Sequence, residues 1–240
     1  SKLFYHPLRE LRVSAFYSQG GEFGAFLGVL ITSYYSELQF FVLADIIAVG
    51  AALSCVFGRL GCYNYGCCYG VRTDSRVSVR YYHPYSKVLR QHPELRGVSL
   101  VPTQLISVLF NFSLFVCLML VLLFIDSAGI AGSLFLIFYD SFRLVLHKYR
   151  ANDCDALSLN KKDKSVFQYI ACIYVLVGVG LLLFNIFYPT MFTYNMFTYV
   201  GFEKFFTLVT HWYFIVPFIL SSLFCLMIYG IHRRKLGQHF

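Results

Sequence analysis

Charge is what this chain has least of: only 13% of its 240 residues are Asp, Glu, Lys or Arg, about half the share of a soluble domain. With 58% of residues hydrophobic and a mean hydropathy of +0.63, that scarcity excludes an ordinary water-soluble globular domain. No internal repeat and no low-complexity tract is present, which excludes a repeat array. Residues 1 to 18 lack the apolar core of a signal peptide and are mixed and partly basic, with Lys2, Arg9 and Arg12. An initiator methionine is missing too, and the expectation is that the original start lies upstream. The cysteines form no C-x-x-C pair, the pattern of the usual zinc knuckle.

The charge that remains is lopsided, with 20 Lys and Arg against 12 Asp and Glu, a net +8. The basic residues fall in connecting loops and the tail, so anionic lipid headgroups are the expected partner and nucleic acid is not.

What the chain has in abundance is apolar runs. Those long enough to cross a bilayer, about 20 residues, are Gln39 to Gly58, Thr103 to Ile125, Val166 to Phe187 and Trp212 to Ile231. Two others are shorter or interrupted: Gly20 to Tyr35, and Gly132 to Leu146, which carries charges. The expected fold is an all-α integral membrane protein, a bundle of about six transmembrane helices. The polar stretch from Arg59 to Val101 is far longer than a usual connection, and its Tyr81, Tyr82, His83, Pro84 and Tyr85 argue against disorder. It is read as a small polar head on the membrane surface, between the second and third helices. A second polar loop, His147 to Ser165, is read as a solvated connector. Residues 1–187 then form the membrane domain, with 59–101 as its surface loop, and 188–240 add one membrane helix and a basic tail, Arg233-Arg234-Lys235. Counting Lys and Arg places both polar loops and the tail on the cytoplasmic side, with the short links at Glu37, Asp126 and Pro189 to His211 outside.

The run from Phe57 to Gly70 (FGRLGCYNYGCCYG) is the densest in chemistry. Its glycines permit positive φ and close approach of backbone to a ligand, and Arg59 offers a fork of donors matched to phosphate. A headgroup-binding loop is the expectation. Of the eight cysteines, Cys55, Cys117, Cys172 and Cys225 sit singly in apolar runs as small polarisable residues. Only Cys62, Cys67, Cys68 and Cys154 lie where chemistry can use them. Three readings of the loop cysteines stay open: packing among glycines, a thiolate activated by Arg59, or zinc ligands together with His83 or His92.

Charges inside apolar helices point the same way. Asp140, Arg143, His147 and Arg150 recur every three or four residues and share one helical stripe. A charge at the centre of a membrane helix costs about 2.5 to 3.5 kcal/mol, so its default reading is functional, facing the bundle interior. An Asp140–Arg143 ion pair that only holds helices together is the alternative. Asp45 is a lone carboxylate, expected to pair with Arg59 or Arg143 or to cap a helix. Gly24 to Gly28 forms a small-xxx-small face for close packing, with Glu22 beside it as an ionisable group at a helix start.

In order, these segments resemble the prolipoprotein diacylglyceryl transferases, membrane enzymes that move diacylglycerol from phosphatidylglycerol to the lipobox cysteine of a prolipoprotein. Asp45 and the run Gly58 to Gly70 match a helix leading into G-R-x-G-N-F-x-N-G-E-x-x-G. Val101 to Ser107 resembles H-P-S-Q-L-Y-E, and Phe135 to Arg150 resembles F-L-I-G-Y-x-x-F-R-x-x-x-E-x-x-R. Phe23 to Gly28 stands at H-G-G-x-x-G. The resemblance spans about residues 20 to 187. Phe23 replaces the motif histidine, Cys62 the asparagine, Cys67 the glutamate and His147 the helix glutamate, while both arginines are kept.

The resemblance implies a catalytic set of Arg59, Arg143, His147, Cys62 and Cys67. Gly24, Asp45, Gly58, Gly61, Asn64, Gly66, Gly70 and Gln104 would hold substrate. Neither metal nor cofactor belongs to that set. It implies Arg59 and Arg143 clamping the donor phosphate, His147 as base, and a prolipoprotein signal peptide as acceptor at the bacterial inner membrane. The motif loop of the family lies on the outer side, opposite to the charge count. Two other functions remain: a phospholipid-using transferase with another acceptor, and a non-catalytic lipid-binding membrane protein.

Overall fold

The computed structural model of the chain describes residues 18–36, 39–150 and 161–188, with a few positions between 215 and 223. Six α-helices appear among these residues: α1 (Ser18–Ser36), α2 (Phe40–Tyr65), α3 (Lys87–Gln91), α4 (Thr103–Phe124), α5 (Ile130–His147) and α6 (Lys161–Phe187). β-pairing is limited to isolated bridges. α2, α4, α5 and the stretch Gln168–Phe187 of α6 are long and apolar enough to cross a membrane, and the chain is an all-α integral membrane protein. The shorter expected segment, Gly20 to Tyr35, is helix α1. Trp212 to Ile231, the basic tail and Cys154 lie wholly or mostly outside the described residues.

The bundle core forms where residues four apart stack on one helical face. Ala48 and Ala52 of α2 meet Leu114, Leu118 and Leu122 of α4 and Ala131, Phe135 and Tyr139 of α5. Alanines on α2 and α5 let the backbones come close, the usual device of membrane helices. Large side chains instead point outward, as Leu109 at 69% and Phe124 at 78% exposure show. A protein in water would cover such a surface; here it faces lipid.

One buried charge fixes a helix start. Gly129 and Gly132 at the N-terminus of α5 donate their backbone N–H groups to Oδ2 and Oδ1 of Asp45, each at 2.7 Å. Asp45 is fully buried. A helix N-terminus has orphan donors and a positive dipole end, so a carboxylate from a neighbouring helix satisfies both. Of the roles weighed for Asp45, capping another helix is the one seen.

Helix α2 does not stop at the first glycine of the motif but runs on to Tyr65. Gly66 ends it, at φ +72, with its N–H donating to Tyr63 O and the Cys67 N–H donating to Cys62 O. This is a Schellman closure. Arg59, Cys62 and Asn64 are therefore helical residues, and the loop begins later than the glycine count implied. The head, residues 66–102, has its own core of Tyr69, Val79, Tyr81, Val88, Leu89, Leu95 and Leu100.

The connector after α5 is zipped to the head. Val71 donates to Tyr149 O at 3.0 Å, and Gly70 pairs with Arg150 in an antiparallel bridge. Gly70 is required there, because a Cβ would lie 2.5 Å from both Cβ and O of Val101. The start of the second polar loop, at Tyr149 and Arg150, therefore lies against the head.

Candidate functional site

Chemistry-bearing residues from four elements gather at the head end of the bundle. Arg59 lies one and a half turns before the end of α2. Arg143 lies one turn before the end of α5, and Glu22 lies near the start of α1. Arg143 Nη1 meets Glu22 Oε1 at 2.7 Å and Asp140 Oδ1 at 3.9 Å. The pair is nearly dry, with the two side chains 9% and 14% exposed. Of the alternatives for Arg143, a structural pairing with Asp140 is thus partly realised, but the closer partner is Glu22. Glu22 Oε2 and both Asp140 oxygens accept no hydrogen bond among the described residues. Two carboxylates thus lean on one guanidinium, an arrangement costly to bury unless it serves a ligand or a proton.

Tyr139 lies between the two arginines. Arg143 sits 5.4 Å over its ring, Cys55 donates to its hydroxyl at 3.5 Å, and the Arg59 charge acts on that same hydroxyl. Among the described residues no carboxylate lies within ion-pair distance of Arg59. The groups facing it are Cys68, Cys62, Tyr139 and Cys55. An arginine without a carboxylate partner keeps donors available for an anion.

The cysteines of the motif converge. The sulfur atoms of Cys62, Cys67 and Cys68 all lie within 4.8 Å of one another, each residue half-buried. The turn that gathers them is braced from α4: Gln104 Nε2 donates to Cys67 O at 2.7 Å and to the Tyr81 hydroxyl at 3.0 Å, and Thr103 Oγ1 donates to Cys68 O at 2.6 Å. Gln104, expected to hold substrate, is fully buried as a brace for the loop. Cys68 has φ +59, the single non-glycine residue with positive φ among the described residues, a conformation costing about 1 kcal/mol or more. Hydrogen bonds from the Cys62 and Cys67 thiols, with the Arg150 and Arg59 charges in support, hold the Cys68 thiol well below the usual range despite burial. Cys67, the donor, is pushed the other way.

The remaining expected residues divide. Gly58 and Gly61 have nothing within 4 Å of a built Cβ, and neither has Gly24, so these leave open surface where a ligand can lie. Gly66 and Gly70 are spent on the chain's own turn and zip. Asn64 is exposed at the end of α2, and His147 is half-buried at the end of α5. His83 and His92 do not join the cysteines: the His83 ring receives the Tyr85 N–H, and His92 pairs with Glu94 at 3.0 Å. Arg150, Tyr139 and Thr103 were not among the expected site residues. Arg150 was legible as the last member of the α5 stripe, but only the bridge to Gly70 carries it to the thiols.

Comparison with known proteins identifies the family. The sequence profile of the family described as prolipoprotein diacylglyceryl transferase matches residues 3–184. The chain is 31% identical over 173 residues to phosphatidylglycerol–prolipoprotein diacylglyceryl transferase 2 of Clostridium perfringens, covering 72% of this chain and 62% of that protein. It is 32% identical over 142 residues to the phosphatidylglycerol–prolipoprotein diacylglyceryl transferase of Dehalococcoides mccartyi strain 195, covering 59% and 52%. A Rickettsia bellii protein of the same name is 30% identical over 161 residues, covering 63% and 56%. The chain thus spans between half and two thirds of the length of these relatives.

Proposed function

The chain belongs to the prolipoprotein diacylglyceryl transferase family, and from that premise we propose that it moves a diacylglyceryl group from phosphatidylglycerol to the thiol of a prolipoprotein's lipobox cysteine. It does so as a multi-pass protein of the bacterial inner membrane. The observation that carries this reading is Arg59: a half-buried guanidinium near the end of α2 with no carboxylate beside it among the described residues, on a helix whose Gly58 and Gly61 have nothing within 4 Å of a built Cβ.

In this account the donor's phosphate lies on Arg59. The acceptor sulfur attacks the glyceryl carbon that bears the phosphate; the carbon–oxygen bond breaks and its electron pair leaves on glycerol phosphate. Positive donors fixed in a dry site stabilise that leaving group without reorganising. Arg143 contributes from across Tyr139 and holds Glu22 and Asp140. His147, one turn further along α5, takes the acceptor's proton. Buried Gln104 and Asp45 act one step back, on the loop and on α5.

The test is release of labelled glycerol phosphate from phosphatidylglycerol by the purified chain, with and without a lipobox peptide. Peptide-dependent release that Arg59→Ala abolishes supports the proposal. Release that ignores the peptide means another acceptor, and no release under any acceptor condition leaves a lipid-binding protein.

A further inference from the structure

Cys62 and Cys67 stand where the motif has an asparagine and a glutamate, with Cys68 beside them, and their geometry supplies a reason. Cys62 projects from the last turn of α2, while Cys67 and Cys68 come from the turn beyond Gly66. The Schellman closure folds that turn back so that all three sulfurs fall within 4.8 Å of one another. Three thiolates on one tetrahedral zinc, at about 2.3 Å each, stand about 3.8 Å apart, so the cluster needs only a small contraction. Packing alone does not account for the backbone. Cys68 is held at φ +59 by hydrogen bonds from Thr103 and Gln104 to two successive carbonyls. A residue that only filled space would gain by being glycine there.

We propose that Cys62, Cys67 and Cys68 form a binding site for one thiophilic divalent cation, zinc by its chemistry, with a fourth position open to an external thiol. Three thiolates and one Zn2+ leave a net charge of −1, and the Arg59 and Arg150 charges act on the cluster to offset it. Sites with three protein ligands keep the fourth for water or substrate, and none of the three cysteines is fully buried.

Resting on the transferase reading, the open position is where the acceptor binds. The acceptor thiol loses its proton to His147 as its sulfur joins the cation. The sulfur lone pair then forms the bond to the glyceryl carbon, and the phosphate oxygen departs with the electrons of the broken bond. The thioether product is a weaker ligand than a thiolate and leaves.

The test uses the full chain in detergent, reduced and metal-free, titrated with Co2+ as a coloured stand-in for zinc. One equivalent should bind, with a sulfur-to-cobalt charge-transfer band and tetrahedral visible bands. Cys62→Ser, Cys67→Ser and Cys68→Ser should each weaken binding at least about tenfold, the least that loss of even an outer-shell partner costs a metal site, while Cys117→Ser, on the exposed side of α4, should not. A lipobox peptide should intensify the charge-transfer band by about one third, as three sulfur ligands become four, and the same peptide with serine for cysteine should leave it unchanged. Helical circular dichroism of each variant controls for folding, and the wild-type titration stands without any variant.

Absence of a charge-transfer band in the wild type, or a band that survives all three replacements, overturns the site whatever the glycerol phosphate assay shows. A band that the peptide thiol does not alter overturns the open position. Cysteine-dependent cobalt binding and thiol addition without glycerol phosphate release would leave the site standing and remove the transferase reading instead.

Discussion

Replacing Asp45 by alanine separates a structural carboxylate from a substrate-binding one. In the structure its two oxygens each accept one N–H from the start of α5 at 2.7 Å, and the side chain is fully buried. Hydrogen bonds to a charged group contribute about 1.5 to 3 kcal/mol each, and a donor left buried without a partner costs a similar amount. Asp45→Ala should therefore remove about 3 to 6 kcal/mol, the favourable charge–dipole interaction being already inside that figure. For a chain of this size that corresponds to a fall of roughly 6 to 24 °C in Tm. Asp45→Asn keeps one acceptor oxygen and should lose about half as much. The assay is thermal unfolding of the detergent-solubilised chain followed by helical circular dichroism, with glycerol phosphate release measured on the same samples. The reasoning fails if Asp45→Ala melts within about 2 °C of the parent yet has lost turnover, since that outcome would put the carboxylate on the substrate.

The Glu22–Arg143 pair makes a second prediction: Arg143→Gln strands two buried carboxylates and should cost about 3 to 5 kcal/mol. Glu22→Gln combined with Arg143→Gln should melt higher than Arg143→Gln alone, as a double-mutant cycle by thermal unfolding will show. Gly70→Ala forces a Cβ to within 2.5 Å of Val101 and should lower stability by about 1 to 3 kcal/mol. Gly61→Ala, helical and with nothing within 4 Å, should stabilise by about 0.5 to 1 kcal/mol and leave Tm equal or slightly raised, so any loss of turnover in it reports on ligand approach. Gln104→Leu removes the braces to Cys67 O and Tyr81 and should cost about 1 to 3 kcal/mol. Limited proteolysis of the head loop, faster than in the parent, checks that the loss is local.

The apolar runs were enough to place the four helices that can cross a membrane among the described residues, because in lipid the backbone must satisfy itself within each segment. The tyrosine-rich stretch likewise announced an ordered head, whose core holds Tyr69 and Tyr81. The helical state of Arg59 and Cys62 was not legible. Repeated glycines read as a loop, and only tertiary packing carries α2 through them to the Schellman closure at Gly66. Asp45 was visibly costly, but its partners are backbone amides 84 and 87 residues away, which leave no side-chain signature. Glu22 was noted beside its glycines without its partner, Arg143. Arg150 reaches the thiols through a backbone bridge to Gly70, a pairing that no side-chain periodicity encodes.

On the proposed reading, Arg59 holds the phosphate of a donor lipid whose diacylglyceryl group passes to a thiol. The measurement closest to it is release of glycerol phosphate from labelled phosphatidylglycerol in the presence of a lipobox peptide, for the parent chain and for Arg59→Ala at matched Tm. Release by the parent should depend on the peptide cysteine and should fall at least about a hundredfold in Arg59→Ala, the scale of losing one transition-state donor. Equal release by the two proteins, or none from the parent, would contradict it.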